Sequence, residues 1–121
     1  MKDRYAFRKT KLYKQGTDYL DELYQLTENL SSKAPESLKS QIIQAATHII
    51  VNVAGKSSGR TTIEQSFLVD GCLMSLFETV ACLDIVERQK LAKQSDLNKA
   101  KQKADVLLTT LESMKKVLGR H

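Results

Sequence analysis

The sequence is poor in residues that form turns, metal sites and disulfides: its 121 residues include no tryptophan, one proline, five glycines, two cysteines and two histidines. So few turn-forming residues exclude the closely spaced turns of a β-sandwich and favour long helices. Hydrophobic residues make up 41% and charged residues 27%, which is typical of a globular protein and not of a disordered one. We expect a single domain over residues 1–121, with a basic N-terminal arm over residues 1–9.

No segment has the pattern of a targeting or membrane-spanning sequence. Residues 1–15 are basic but lack the apolar run of a secretory signal, and no run of about 18 apolar residues stands out as a membrane span. Cys72 and Cys82 lie in one apolar segment, and on a helix their separation of about 15 Å is too large for a disulfide. They are interpreted as buried thiols of a reducing compartment, and the sequence predicts a cytoplasmic protein.

Apolar residues recur at three- and four-residue steps in four stretches, the spacing of amphipathic helices. The first predicted helix runs from near Phe7 or Thr10 to about Leu30. The second has Pro35 in its first turn and ends near Gly55.

The third predicted helix begins at Thr61, which with Glu64 has the spacing of a capping box, and continues to about Val86. The fourth opens after Ser95 as N-cap and is closed by Gly119. Four helices joined by short loops predict an all-α fold, an antiparallel up-down-up-down four-helix bundle. The third helix is apolar on nearly every side, so some of its large side chains are expected to face another subunit of a homo-oligomer.

Charge is unevenly distributed along the chain. Residues 1–14 carry six Lys or Arg against one acid, residues 15–87 carry four against ten, and residues 88–121 carry nine against three. In the predicted topology, the start of helix one, the loop between helices two and three and the end of helix four meet at one end of the bundle. Ten basic residues gather there: Arg4, Arg8, Lys9, Lys11, Lys14, Lys56, Arg60, Lys115, Lys116 and Arg120.

This basic end predicts a field that attracts phosphate groups, opposed there by Asp3, Glu64 and Glu112. The residues predicted to contact the phosphates of RNA or DNA are Arg8, Lys9, Lys11, Lys56, Arg60, Lys115 and Lys116. The alternative is that the lysines only solvate the helix surfaces and complement helix C-termini. Because the chain has three phenylalanines, four tyrosines and no tryptophan for stacking, we expect few contacts with bases and salt-sensitive binding.

The sequence offers no set of residues for catalysis or for a metal or cofactor. Gly55-Lys56-Ser57 resembles the end of a P-loop, but Ile50 stands where that motif has its first glycine, and a helix precedes it instead of a strand. With only His48 and His121, neither a metal-binding pair nor a Ser/His/Asp site is apparent, and His48 is interpreted as structural. We predict a protein that is not an enzyme and has no catalytic residue, metal or cofactor.

Asn52 and Asp70 are polar residues inside strongly apolar stretches of helices two and three. Buried polar groups in proteins are nearly always hydrogen-bonded. We therefore predict a buried hydrogen bond across these two helices that involves Asn52 and Asp70.

Motifs in the middle of the chain resemble those of a known family. Their pattern is Leu38-x-x-Gln41-x-x-x-Ala45-Ala46, then Ile49-x-x-Asn52-Val53-Ala54-Gly55, then Phe67-Leu68 and Gly71-x-x-x-x-Leu76-x-Glu78. It resembles the small four-helix-bundle proteins encoded in intervening sequences of large-subunit rRNA. The chain departs from that family at Gln44, where arginine is usual, and at Asn52-Val53-Ala54-Gly55-Lys56, where Asn-Ile-Ala-Glu-Gly is usual.

The departures resemble a related group. Val53-Ala54-Gly55-Lys56-Ser57 and Asp70-Gly71-x-Leu73-Met74 look like the accessory variability determinant proteins of diversity-generating retroelements. That resemblance implies a ring-like homopentamer with a basic surface, which binds nucleic acid and the element's reverse transcriptase, is required for mutagenic cDNA synthesis and has no catalytic activity. The alternative, a bundle of the intervening-sequence type, implies a structural or protein-interaction module without nucleic-acid binding.

Overall fold

The computed structural model describes residues 4–119. They form a short 3-10 helix, Ala6–Lys9, and four α-helices: α1 Lys11–Glu28, α2 Glu36–Lys56, α3 Thr62–Arg88 and α4 Gln94–Leu118. Both α2 and α4 pack against α1 and α3, so each helix has two neighbours around one shared core. The predicted all-α fold of four helices is confirmed.

The first helix begins at the second of its two predicted starts. Thr10 is the N-cap of α1, and its hydroxyl accepts a hydrogen bond from the Tyr13 backbone N–H at 3.1 Å. The same hydroxyl donates to the Phe7 carbonyl at 2.8 Å, which joins α1 to the 3-10 helix. That 3-10 helix contacts α1 and α2, so residues 6–9 of the predicted arm pack on the bundle.

Two helix starts differ from the predicted ones. Pro35 is the N-cap of α2, with φ −65° and ψ 143°, and therefore precedes the first turn. Lys93 is the N-cap of α4, so the prediction of Ser95 as N-cap is wrong and Ser95 lies inside the first turn. The helix begins early because the Lys93 carbonyl already accepts the backbone N–H groups of Asp96 and Leu97.

The end of α3 is closed by a backbone motif that the sequence does not predict. Lys90 has φ 56°, and its N–H donates to the Glu87 carbonyl at 3.1 Å, while the Leu91 N–H donates to the Val86 carbonyl at 3.0 Å. These two bonds form a Schellman motif, and the buried side chains of Leu91 and Val86 supply its usual apolar pair. At the end of α4, Gly119 is the C-cap, as predicted.

The core is built from large side chains of all four helices and contains one polar link. Its fully buried members include Leu23, Leu26, Ile42, Ile49, Leu76, Leu83, Leu97, Leu107 and Leu111. Among them, the Tyr19 hydroxyl lies 2.8 Å from the Thr79 hydroxyl, which itself donates to the Leu76 carbonyl, so Tyr19 donates to Thr79. Burial raises the pKa of Tyr19 to about 12, which keeps the phenol protonated and able to donate. The bond ties α1 to α3 across the bundle.

Asn52 makes the predicted cross-helix bond, but with a different partner. Its amide Nδ2 donates to the Leu68 carbonyl at 2.8 Å and lies 3.3 Å from the Cys72 sulfur. Asp70 is exposed and forms an ion pair with Lys115 at 3.6 Å, so the prediction that Asp70 takes part is wrong. Gly71 follows Asp70 in α3, and a Cβ added there would lie 2.7 Å from Asn52 Nδ2. Because glycine has no side chain, α2 can approach α3 closely at this point.

The third helix is only partly covered by the other three. Phe67, Met74 and Phe77 are more than half exposed and Ile85 is 47% exposed, whereas other apolar residues of α3 are buried. The helix is also long and apolar enough, by length and composition, to cross a membrane, which corrects the expectation that no segment qualifies. Half of its most apolar window is buried inside the bundle.

Replacing Lys90 by glycine is expected to raise the free energy of unfolding by about 1 kcal/mol, because glycine adopts a positive φ without the Cβ penalty. The matched control is Gln89→Gly one residue earlier, where φ is −86° and glycine only adds chain entropy. Urea unfolding should show the two variants moving in opposite directions. A loss of stability in Lys90→Gly would contradict the assigned motif.

Replacing Gly71 by alanine is expected to destabilise the fold by about 1–3 kcal/mol, since the new methyl group would overlap the Asn52 amide. Gly55→Ala is the control: it also lies in a helix, and a Cβ there meets nothing within 4 Å, so a gain of up to about 1 kcal/mol is expected. In a double-mutant cycle, Asn52→Ala should remove most of the cost of Gly71→Ala. Additive effects would show that the overlap is not the cause.

Candidate nucleic-acid interface

Specific contacts bring four chain segments to the same end of the bundle. Near the start of α1, a Cβ on Gly16 would lie 3.5 Å from Ile50, late in α2. Late α2 joins early α3 through Asn52 and Leu68, and early α3 joins the last turns of α4 through Asp70 and Lys115. The 3-10 helix also contacts α2.

All seven predicted phosphate-contacting residues lie on these segments, and all are exposed. Arg8 and Lys9 are in the 3-10 helix, Lys11 opens α1, Lys56 ends α2, Arg60 is in the following loop, and Lys115 and Lys116 are in the last turn of α4. We call this region the basic end; its described cations are Arg4, Arg8, Lys9, Lys11, Lys14, Lys56, Arg60, Lys115 and Lys116. Asp3 and Arg120, named in the sequence prediction, lie outside the described residues.

Acidic side chains lie among or beside these nine cations, including Asp18 one turn after Lys14. Glu64 and Glu112 are the expected ones, and Asp70 is a further acid that the sequence analysis missed. Its pairing with Lys115 joins side chains that are 59% and 65% exposed, so it contributes about 0–1 kcal/mol and only partly offsets one cation. Writing the sequences of α3 and α4 side by side in opposite directions would have indicated that Asp70 can lie near Lys115.

The loop between α2 and α3 is held in one shape by hydrogen bonds. The Gly59 N–H donates to the Lys56 carbonyl at 3.0 Å, and the Gln65 amide donates to the Gly59 carbonyl. A Cβ on Gly59 would lie 2.8 Å from the Glu64 Cβ, so only glycine fits without displacing the neighbour. The loop therefore presents Lys56 and Arg60 from a fixed backbone.

The predicted capping box of α3 is confirmed. The Thr61 hydroxyl accepts the Glu64 N–H at 3.1 Å, while the Glu64 carboxylate accepts the N–H groups of Arg60 at 2.7 Å and Thr61 at 3.4 Å. Glu64 thereby stabilises the helix N-terminus with its negative charge. The same interaction places one negative charge beside Arg60, which reduces the positive potential of the basic end.

Two aromatic rings contact Arg8 of the 3-10 helix. The Arg8 guanidinium lies 4.8 Å from the centre of the Tyr5 ring and 5.8 Å from that of Phe7. Phe7 in turn meets Tyr13 of α1 edge to face at 5.3 Å. Cation–π contacts of this kind limit the freedom of the arginine while leaving its N–H groups available to a ligand. Sequence spacing alone gave no signal for this cluster.

The remaining reactive side chains lie away from the basic end or are inert. Cys72 and Cys82 are buried free thiols, as predicted, and burial raises the pKa of each, so they are poor nucleophiles at neutral pH. His48 is exposed on α2. In the part of the chain that the structure describes, no three His, Cys, Asp or Glu residues gather as a metal site would require. What this region offers chemically is a cluster of fixed cations.

Residues 8–113 match the family model described as the 23S rRNA-intervening sequence protein. The chain belongs to this family. The match spans the end of the 3-10 helix, α1, α2, α3 and most of α4, and it confirms the resemblance to intervening-sequence proteins. Comparison with curated proteins gives no match.

The segment that matches the intervening-sequence protein family contains only part of the basic end. Arg8, Lys9, Lys11, Lys56 and Arg60 fall inside residues 8–113, whereas Lys115 and Lys116 follow it. The closer resemblance to accessory variability determinant proteins stays a prediction.

Replacing Thr61 by alanine should lower the free energy of unfolding by about 1 kcal/mol, because the Glu64 N–H loses its capping partner. Thr62→Ala is the matched control: Thr62 is the exposed first residue of α3, and its replacement should change stability by less than about 0.5 kcal/mol. Thermal unfolding followed by circular dichroism measures both. Equal effects would argue against the capping role of Thr61.

Proposed function

We propose that this chain is a non-enzymatic, cytoplasmic accessory protein that binds RNA or DNA through its basic end and acts together with a reverse transcriptase. The observation that carries the nucleic-acid part is the gathering of nine cations, which outnumber the acids beside them, at one end of the bundle. Such a surface attracts a polyanion from a distance and holds it by contacts with phosphate groups.

The proposed subunit is an antiparallel up-down-up-down bundle. Two pairs of contacts along α3 support opposite helix directions. Against α2, Phe67 shares a hollow with Gly55 near one end, and Ile85 shares another with Leu38 near the other. Against α4, Asp70 pairs with Lys115, and Glu87 pairs with Lys101 at 2.7 Å. In this arrangement the segments that carry the basic residues emerge at the same end.

A second copy of the chain is the proposed occupant of the apolar face of α3, defined here as Met74, Phe77, Ala81 and Ile85. These residues are exposed and recur at steps of three and four, so they lie along one line of the helix. The spacing suits packing of a helix against another helix, and Met and Phe are residues enriched in protein interfaces. Assembly side by side would place several basic ends close together; a ring of five subunits is what the resemblance implies.

Contacts with phosphates fit this surface better than reading of base pairs. Its cations come from three separate stretches of the chain, namely residues 4–14, residues 56–60 and the last turn of α4, and not from one exposed recognition helix. Phosphate contacts give affinity without sequence information, and their strength falls steeply with salt. Binding is therefore proposed to be tolerant of sequence and strongly salt-dependent.

The reverse transcriptase partner is supported by the Val53-Ala54-Gly55-Lys56-Ser57 motif, which looks like that of accessory variability determinant proteins. The genomic neighbourhood tests this part. A nearby reverse transcriptase gene with template and variable repeats would support it, whereas an rRNA gene insertion would favour the other reading.

That second candidate is a structural or protein-interaction module without nucleic-acid binding. The membership in the 23S rRNA-intervening sequence protein family and the exposed apolar face of α3 favour it. It predicts assembly without any affinity for nucleic acid.

Replacing Lys56 and Arg60 together by glutamine is expected to weaken binding to labelled duplex DNA and structured RNA. For duplex DNA, losing two phosphate contacts should reduce the slope of log Kobs against log salt by about 1.8. Fluorescence anisotropy at several salt concentrations gives the slope, and light scattering should show an unchanged mass.

The matched control replaces Lys33 and Lys93, two exposed lysines at the opposite end, by glutamine. This change alters net charge equally but should leave the salt slope as in the wild type. Equal losses in both double variants would mean that total charge, and not the basic end, attracts the polyanion. Wild-type protein that binds neither ligand at low salt would favour the interaction module.

A further inference from the structure

A hollow beside the loop between α2 and α3 combines an aromatic ring with charges of both signs. It has a volume of about 320 Å³ and is lined by Gly55, Lys56, Ser58, Gly59, Glu64 and Phe67. Phe67 is 60% exposed, one of two phenylalanines in the described chain that remain largely outside the core, and it belongs to the edge of the basic end. A volume near 300 Å³ is at the lower limit for small-molecule pockets, which suits a single flat ring.

The charges in the hollow discriminate between parts of a nucleotide. The Glu64 carboxylate forms part of the wall, so a phosphate inside would meet a like charge. The same carboxylate can accept hydrogen bonds from the N–H groups of a base. Lys56 at the wall and Arg60 beside Gly59 supply positive charge for the phosphates on either side.

The walls are held in place before any ligand arrives. The Glu64 carboxylate is fixed by the backbone N–H of Arg60, and the Gly59 carbonyl is fixed by Gln65. This part of the wall needs no ordering on binding, which favours affinity.

We propose that this hollow is a subsite for one unpaired base, stacked on the Phe67 ring, with the flanking phosphates of the strand on Lys56 and Arg60. The inference rests on the proposed function and deepens it, because it makes single-stranded segments the preferred ligand of the basic end. Base stacking on an exposed aromatic ring tolerates any sequence, since every base has a π-face.

Phe67 is distinct from the apolar face of α3 that is assigned to a second copy. Met74, the nearest member of that face, is seven residues and about 10 Å further along the helix. Asp70 lies between them on the same side, exposed and paired with Lys115, and interrupts the apolar surface. The proposal requires that the hollow stay open in the proposed assembly.

The experiment compares binding of oligodeoxyadenylate with binding of an abasic strand of equal length, which keeps the phosphates and lacks the bases. Wild-type protein should bind the strand with bases about five-fold or more tightly, and Phe67→Leu should abolish that preference. Phe67→Trp should retain it, because an aromatic face is restored. Replacing Lys56 and Arg60 by glutamine should weaken binding of both strands equally.

Tyr24→Leu is the matched control, since Tyr24 is an exposed aromatic residue of α1 outside the basic end. A second readout is 2-aminopurine placed in the strand, whose fluorescence should be quenched by the wild type and not by Phe67→Leu. Light scattering measures the mass of each variant and so shows whether its oligomer is intact.

The outcomes separate this inference from the proposed function. Equal binding of both strands by the wild type, or an unchanged preference in Phe67→Leu, would overturn the subsite while leaving phosphate binding intact. Dissociation of the oligomer by Phe67→Leu would also overturn it, because Phe67 would then belong to the subunit contact. Failure of the wild type to bind either strand at low salt would reject the proposed function itself.

Discussion

Asn52 of α2 lies against the backbone of α3 at Gly71, and its amide donates to the Leu68 carbonyl. This contact fixes how far α2 extends past α3, because a polar side chain half-buried between two apolar helices has few other partners. The position of Lys56 at the end of α2, and of the loop that carries Arg60, follows from that register. The two cations on which the proposed phosphate contacts of this loop rest therefore depend on it.

Electrostatics and stability compete in the same loop. Glu64 stabilises the start of α3 by accepting two backbone N–H groups, and in doing so it places a negative charge among the cations. A surface for binding phosphate alone would omit that acid. A wall that contains a carboxylate, a lysine and an exposed ring is suited to both halves of a nucleotide.

The third helix carries large apolar side chains both in the core and on the surface. Leu68, Val69, Leu76 and Leu83 are buried in the bundle, while Met74, Phe77 and Ile85 lie outside. An exposed row of large apolar side chains is unfavourable in water unless something covers it, so the helix is more apolar than a monomer needs. The same excess gives α3 the composition of a membrane span, although half of its most apolar window is buried against the other helices.

The residue pattern alone determined the four helices, because apolar periodicity and the Thr61–Glu64 capping box are local properties. It also determined that basic residues concentrate in the segments on either side of the acidic middle of the chain. The pattern predicted the wrong N-cap for α4, Ser95. The helix starts earlier because the turn before it places the Lys93 carbonyl where it accepts the first helical N–H groups. The pattern also failed to find Asp70 as the partner of Lys115, because that pairing depends on the alignment of two helices.

The Schellman motif at Lys90 was also not predicted from the sequence, because it contains no glycine. It depends on the burial of Leu91 against the bundle. Only the tertiary structure decided which apolar side chains of α3 stay exposed and which cations share an end with Phe67. The physical reason is that helix formation depends on neighbours within a few residues. The composition of a surface is decided instead by the register between helices that are far apart in the sequence.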